Sequence, residues 1–253
     1  MGMIKSKKRR KNREKIRKLQ NFISILEKNT PFSYIEAFKT LRTNIDFISS
    51  TNGISSILVT SAVPDESKST TAINLAISLV ENRHSVVLVE CDLRMPMLRK
   101  YLKLDKGTRG LSSVLAGKCS LEDSILDVKE LGISVIHAGA IPPNPSELLN
   151  QNRMKQVIEN LENRFDFVIL DGPPVTVVTD AIVVGRMTDG ALLVVRSRFA
   201  PTKTVRLAKQ KLESVNIKVL GAVLTRFNCK KWGWRSGYSY QGYENNYDQI
   251  LKK

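Results

Sequence analysis

The 253-residue chain predicts an α/β fold, with a mostly parallel sheet covered by helices on both faces. Three observations carry this. First, short and nearly unbroken apolar runs (57–59, 85–89, 165–170, 191–195 and 219–224) alternate with stretches of helical periodicity, as expected of strands buried on both sides. Second, the run Ile57-Leu58-Val59 enters a polar loop that closes on Lys68-Ser69-Thr70 and opens a helix over 71–80. Third, acids stand at the ends of two later strands, Glu90 with Asp92 and then Asp171. In such sheets ligands bind at the carboxyl ends of the strands, so the loop and the acids can converge on one site.

Taken in order, the chain opens on a basic arm. Residues 5–18 hold ten Lys/Arg and one Glu, more than half of the net charge of +16. Such a block repels itself, so residues 1–32 are expected to form a flexible arm. Anionic lipid headgroups would attract it at about 1 kcal/mol per basic residue, nucleic acid would attract it too, and a solvated tail is the plain alternative. Over 33–49, apolar residues at helical spacing follow Ser33, with Glu36 three positions on. That spacing predicts a helix with a capping box.

Strand, loop, Lys-Ser, helix is the layout of a phosphate-binding P-loop. Backbone N–H groups of the loop and the helix start would face one anionic spot. Lys68 would place its ammonium on the β/γ-phosphates and the Ser69 hydroxyl would sit on Mg²⁺. Pro64, Asp65, Glu66, Ser67 and Thr70 complete the predicted cradle. The plain alternative is a Ser/Thr-capped helix after a strand. The loop lacks the glycine that normally precedes the lysine. If Ser67 must take a positive φ, it costs about 1–2 kcal/mol, roughly a tenfold effect if the cost falls on nucleotide affinity. Asp65 and Glu66 would also bring negative charge near the phosphates.

Residues 85–91 predict a buried strand ending in acid. Short helices are expected at 96–103, 110–117 and 120–127, the last capped by Ser120. A strand follows at 132–137, then a proline-rich loop over 140–145 and a helix from Ser146, its expected cap, to about Arg164. The strand 165–170 ends at Asp171-Gly-Pro-Pro. A helix at 178–187, a strand at 191–195, a helix at 201–214 and a strand at 219–224 close the series. The expected domain spans 33–228. From 229 the character changes: Tyr238, Tyr240, Tyr243 and Tyr247 stand among glycines and polar spacers, which predicts a flexible aromatic tail over 229–253.

Composition excludes several classes. With 42% hydrophobic residues the chain can bury one sizeable core, and no apolar run reaches the 18 residues of a spanning helix. No apolar segment of signal-peptide type follows the basic N-terminus. Cys91, Cys119 and Cys229 lie far apart, which points to reduced thiols in a cytosolic protein. The only histidines, His84 and His137, make histidine-based metal or nucleophilic chemistry a poor fit, and His137 is expected to be structural.

Together, EAFKTLRTN at 36–44, TSAVPDESKSTTAINLA at 60–76, VVLVECDLRMP at 86–96, GLSSVLAGKCSLEDSI at 110–125, PPNPSELL at 142–149, FDFVILDGPP at 165–174 and the tyrosine cluster resemble the bacterial tyrosine kinases of capsule and exopolysaccharide synthesis. The form resembled is the one whose cytoplasmic kinase is a separate chain. The resemblance implies a P-loop NTPase fold, ATP and Mg²⁺ as cofactors, and phosphorylation of the tail tyrosines in trans within a homo-oligomeric ring. It implies catalytic roles for Lys68, Glu90, Asp92 and Asp171, with Mg²⁺ on Ser69, Asp92 and Asp171, and Arg94 among the nucleotide-binding residues. Glu90 takes the place of an aspartate and is one methylene longer. Glu36, Lys39 and Arg42 fall on a subunit-contact motif, with Lys39 in place of an arginine. The implied partners are the cytosolic segment of a membrane activator, a cognate tyrosine phosphatase and, through the arm, an anionic membrane, so that the chain would sit at the inner face of the plasma membrane. Nucleic acid is not expected as a partner.

Two other readings stay open on the sequence. One is a relative that binds nucleotide and its activator without kinase chemistry, suggested by Asp65, Ser67 and Glu90. The other is a partitioning-type ATPase switch, against which stand the tyrosine-rich tail and Val63, where that group carries a signature lysine.

Overall fold

A computed structural model describes residues 25–26, 30–104, 107 and 109–227. The basic arm and the tyrosine tail fall outside the described residues, apart from Ile25, Leu26 and 30–32 of the arm's range.

The first element, α1 (Phe32–Asn52), has its N-cap two residues earlier than expected, at Pro31 in place of Ser33, with no side-chain cap. That shift moves Ser33 into the first turn, where its hydroxyl cannot cap, so the capping box does not form. Glu36 instead accepts a hydrogen bond from the Lys39 ammonium at 2.8 Å. The helix ends where Gly53 takes φ 64° and donates its N–H to the Ser49 carbonyl, a left-handed cap that favours glycine.

Then come β1 (Ser56–Ser61), α2 (Lys68–Glu81), β2 (Val86–Glu90), α3 (Leu98–Tyr101) and α4 (Leu111–Leu115), followed by β3 (Leu126–Val128) and β4 (Ile133–Ile136). The chain continues through α5 (Pro145–Leu149), α6 (Asn152–Glu162), β5 (Phe167–Asp171), α7 (Asp180–Gly185), β6 (Gly190–Arg196), α8 (Thr202–Glu213) and β7 (Val219–Thr225). Seven strands form one sheet in the order β3-β4-β2-β5-β1-β6-β7. Every pairing is parallel except β3 with β4.

The side-chain period of two explains the unbroken apolar strands. Leu58, Val87, Val89, Val168, Leu170, Ala191 and Leu193 pack on one face with α4 to α8. Their neighbours Ile57, Val59, Val86, Leu88, Phe167, Ile169, Leu192 and Val194 pack on the other with α1 and α2. Alternate residues thus feed opposite cores, and neither face can be polar.

Two expected helices are corrected. Over 120–127, Ser120 Oγ accepts the Asp123 N–H at 3.1 Å, but Leu121 holds the cap position and the element is a single 3₁₀ turn, Glu122–Ser124. The chain then extends, because Leu126 and Val128 pair with Val135 and Ile133 at the open edge of the sheet. Over 146–164, the helix is broken. Gln151 is extended (φ −74°, ψ 150°), which lets the buried Leu149 of α5 and Met154, Val157, Ile158 and Leu161 of α6 all face the core. Asn144, not Ser146, holds the cap position of α5.

His137, just past β4, is buried, and its Nδ1 accepts the Gly139 N–H at 3.0 Å. That bond needs a neutral ring. Burial, with help from the Arg99 guanidinium, lowers its pKa from the ordinary value of about 6.5. The unfolded chain therefore binds the proton more tightly, and stability falls as pH drops from about 6.5 through the lowered folded value. Thermal unfolding at pH 7.5 and pH 5 should show this loss. His137→Asn, whose amide oxygen can accept the same N–H, should reduce it, and an unchanged pH dependence in that variant would contradict the account.

Candidate active site

β2 and β5 end level with one another, and β1 runs two residues further beside them. Val59 of β1 and Glu90 of β2 both pair with Asp171 of β5, so β5 sits between the strand that feeds the loop and the strand that carries the acids. The backbone of the second acidic segment is fixed on β5 as well. The N–H groups of Cys91 and Asp92 both donate to the Asp171 carbonyl, at 2.9 and 3.2 Å. This brings Asp92 beside Asp171, although 79 positions separate them in the chain.

The Lys68 ammonium, at the first position of α2, lies 3.1 Å from Asp92 Oδ2 and 3.6 Å from Asp171 Oδ1. Lysine, both acids and Ser69 are largely withdrawn from solvent. Burial alone would lower the lysine's pKa, but the Asp171 and Asp92 carboxylates outweigh it, and the net shift is upward. Lys68 therefore stays charged throughout the physiological range. Asp171 Oδ1 is buried without a hydrogen-bond donor, so a hard acceptor oxygen points into the site. A hydroxyl and two carboxylates beside a phosphate cradle form a set that suits Mg²⁺, which is commonly held by one or two carboxylates together with substrate phosphates.

The loop itself bears out the expected strain. Ser67 takes φ 70° and ψ 27°, the left-handed region, and Asp65 takes φ 64°. Pro64 and Asp65 are exposed at its crest, whereas Ser69 and Thr70 are buried at the base. The loop after β5 supports the cradle from behind. Thr60 Oγ1 donates to the Pro173 carbonyl at 2.7 Å, and Thr176 Oγ1 to the Ala62 carbonyl at 2.6 Å.

Several expected residues have other partners. Glu66 does not bring its charge to the phosphate side. It is fully buried, with Oε2 accepting the Val63 N–H at 2.9 Å and Oε1 the Arg196 N–H at 3.1 Å. Glu90 is also turned inward, because its extra methylene lets it reach three backbone donors. Its carboxylate accepts the N–H of Met97, that of Leu98 at 2.7 Å and that of Ala138 at 2.9 Å. Burial, opposed by the Leu98 and Ala138 N–H groups, raises its pKa. The carboxylate left facing Lys68 is that of Asp92, steadied by the Met95 N–H at 3.0 Å.

Arg94 is drawn to the α5–α7 side. Its Nε lies 2.8 Å from Asp180 Oδ2, and an Nη donates to Ser146 Oγ at 2.9 Å. Asp180 is fully buried, and the Ser146 hydroxyl also donates to it. No local pattern announces this trio, because its members come from three separate segments. Of the subunit-contact residues, Arg42 donates to the Ser78 carbonyl of α2 at 2.8 Å and stands 3.9 Å from Glu81, so it packs within its own chain. Glu36 and Lys39 pair with each other. The four tail tyrosines lie outside the described residues.

Comparison with known proteins agrees with this geometry. The family model described as "AAA domain" matches residues 65–218. The tyrosine-protein kinase YwqD of Bacillus subtilis is 38% identical over 240 residues, covering 95% of this chain and 98% of that protein. The solved kinase domain of the Escherichia coli tyrosine kinase ETK superposes with a TM-score of 0.73 at 34% identity, covering 86% of this chain and 87% of that one. Against the curated Escherichia coli tyrosine-protein kinase etk, however, the chain spans only 28% of the relative's length. The septum site-determining protein MinD of Pyrococcus horikoshii, solved with Mg-ADP, is more distant, with a TM-score of 0.59 and 25% identity over 67% of this chain and 69% of that one.

Proposed function

The chain belongs to the family of bacterial tyrosine-protein kinases, and from that premise we propose that it transfers the γ-phosphoryl group of ATP to its own C-terminal tyrosines, in trans between copies. The observation that carries this is the buried Lys68 ammonium set between Asp92 and Asp171 at the start of α2. The P-loop backbone and Lys68 would hold the β/γ-phosphates, and Lys68 would offset the charge that develops on the transferred group. Mg²⁺ held by Ser69, Asp92 and Asp171 would neutralise further phosphate charge. Asp92 would orient the acceptor hydroxyl and take its proton, since a tyrosine with a pKa near 10 is not usefully ionised alone. Glu90 and Arg94 are assigned to holding the loop that carries Asp92. Glu66 is assigned to the body of the P-loop.

The acceptors would be Tyr238, Tyr240, Tyr243 and Tyr247. Each phosphate adds about −1.5 to −2 charges, so two would offset or reverse the net +3 of residues 229–253. By family likeness, the cytosolic segment of a membrane activator completes the active state, a ring of copies is the assembly, and a tyrosine phosphatase resets it. The process served is capsule or exopolysaccharide assembly. Among the described residues no helix is long and apolar enough to cross a membrane, which fits attachment through a partner and through the basic arm.

The test is intact mass and peptide mapping of the full chain after incubation with MgATP and the activator's cytosolic segment. One to four phosphates on residues 238–247 are expected. MgATP binding without phosphotyrosine would make the chain a nucleotide-gated partner instead.

A further inference from the structure

We propose that Glu66 is a positioning residue of the phosphate loop, a buried carboxylate pin that maintains the loop's shape where glycine is missing. The proposal rests on the reading of this loop as an ATP site. Loop residues 62–67 must reverse direction between β1 and α2, with two non-glycine residues, Asp65 and Ser67, at positive φ. Each such residue is disfavoured locally, so the conformation persists only if its surroundings over-determine it.

Glu66 lies between the two strained residues and supplies that constraint. One carboxylate oxygen accepts the Val63 N–H inside the loop at 2.9 Å. The other accepts the Arg196 N–H at the end of β6, at 3.1 Å. Its carbonyl accepts Thr225 Oγ1, at the end of β7, at 3.0 Å. Arg196 adds a second tie, an Nη to the Asp65 carbonyl at 3.3 Å. The loop is thus fastened to the two strands on the far side of β1 from the acids. A buried carboxylate that accepts two backbone N–H groups forms charge-assisted bonds, stronger than neutral ones, and its removal leaves both donors without a partner. The Glu66 carboxylate is hydrogen-bonded to the Val63 and Arg196 N–H groups, whereas the Lys68 ammonium pairs with Asp92 and Asp171, so the influence of Glu66 on nucleotide would run through the backbone N–H groups it holds in place.

The pin and the missing glycine should therefore be coupled. Glu66→Ala frees the loop to leave the strained conformation, and the dissociation constant for a fluorescent ATP analogue with Mg²⁺ should rise by roughly tenfold or more. Ser67→Gly removes one source of strain, so it should tighten binding slightly alone. In the double variant it should restore a substantial part of the affinity lost through Glu66→Ala. Glu66→Gln retains one acceptor oxygen but points N–H₂ at a backbone donor, and it should fall between. With saturating MgATP the loss should lie in KM and not in kcat for phosphotyrosine formation.

The full chain is used throughout, with thermal unfolding recorded on each variant. Equal nucleotide affinity in wild type and Glu66→Gln would overturn the proposal. So would strictly additive effects of Glu66→Ala and Ser67→Gly, which would reduce Glu66 to a general contributor to stability. Should Glu66→Ala fail to fold, the Glu66→Gln and Glu66→Gln/Ser67→Gly pair decides by the same coupling. Failure of wild type itself to bind the analogue would instead remove the ATP-site reading, and this proposal with it.

Discussion

Lys68→Met is expected to abolish measurable tail phosphorylation, lowering the rate by at least about 10²–10³-fold, the usual cost of losing one fixed donor to developing charge. The same substitution should alter stability in a pH-dependent way. In the native chain the ammonium lies within ion-pair distance of two carboxylates, one of them almost fully buried. Without it, Asp92 and Asp171 face one another uncompensated, and breaking such a buried pair typically costs about 3–5 kcal/mol.

The sign follows from linkage. Asp171 already has a pKa raised by burial, with Lys68 and Ser69 opposing the shift. Removing the ammonium raises it further, so the folded state then binds protons more tightly than the unfolded one. Stability is retained at low pH and lost as pH rises through the folded value. Lys68→Met should therefore melt closer to wild type at pH 5 than at pH 8, while Lys68→Met/Asp171→Asn should recover stability at pH 8 without recovering activity. Melting curves at the two pH values, with phosphotyrosine mapping, check both halves. Full phosphorylation in Lys68→Met would remove the lysine from the mechanism.

Asp92 and Glu90 should separate when each carboxylate is converted to its amide. Asp92→Asn should lower the rate of the chemical step by about 10²–10⁴-fold, the range for losing a positioned base, while Asp171 still faces the Lys68 ammonium. Glu90→Gln should act mainly on stability. Its carboxylate serves the N–H groups of Met97, Leu98 and Ala138, and an amide in its place turns N–H₂ toward at least one of them. At about 1–3 kcal/mol for a buried donor left unpaired, the melting temperature should fall by several degrees, with a smaller effect on rate. Single-turnover kinetics and thermal unfolding on the same preparations provide the comparison. A stable Glu90→Gln without activity, beside an active Asp92→Asn, would return the base to Glu90.

The sequence was most legible where one physical rule acts alone. Four buried parallel strands, β1, β2, β5 and β6, could be read from unbroken apolar runs, because a strand covered on both faces has no polar side to interrupt the pattern; the fifth run is β7, an edge strand that is only partly covered. The P-loop could be read from the order strand, loop, Lys-Ser, helix, and the convergence of Lys68, Asp92 and Asp171 from the rule that such sheets bind ligand at their carboxyl ends. Even the cost at Ser67 was legible, since the glycine missing before the lysine marks a position where only φ > 0 serves.

What tertiary structure alone decided is the partner of each charged group. Glu66, Glu90 and Arg94 sit in or beside the motif, yet each is held by residues 3 to 130 positions away. The strand at 126–128 was invisible for the same reason: its extended form follows from pairing with β4, and three residues have too little pattern to announce it. A sequence states which groups can carry charge and where the chain can turn. Which acid faces the reaction, and which is buried under a loop to hold it in shape, depends on backbone N–H groups that only the folded sheet brings within reach.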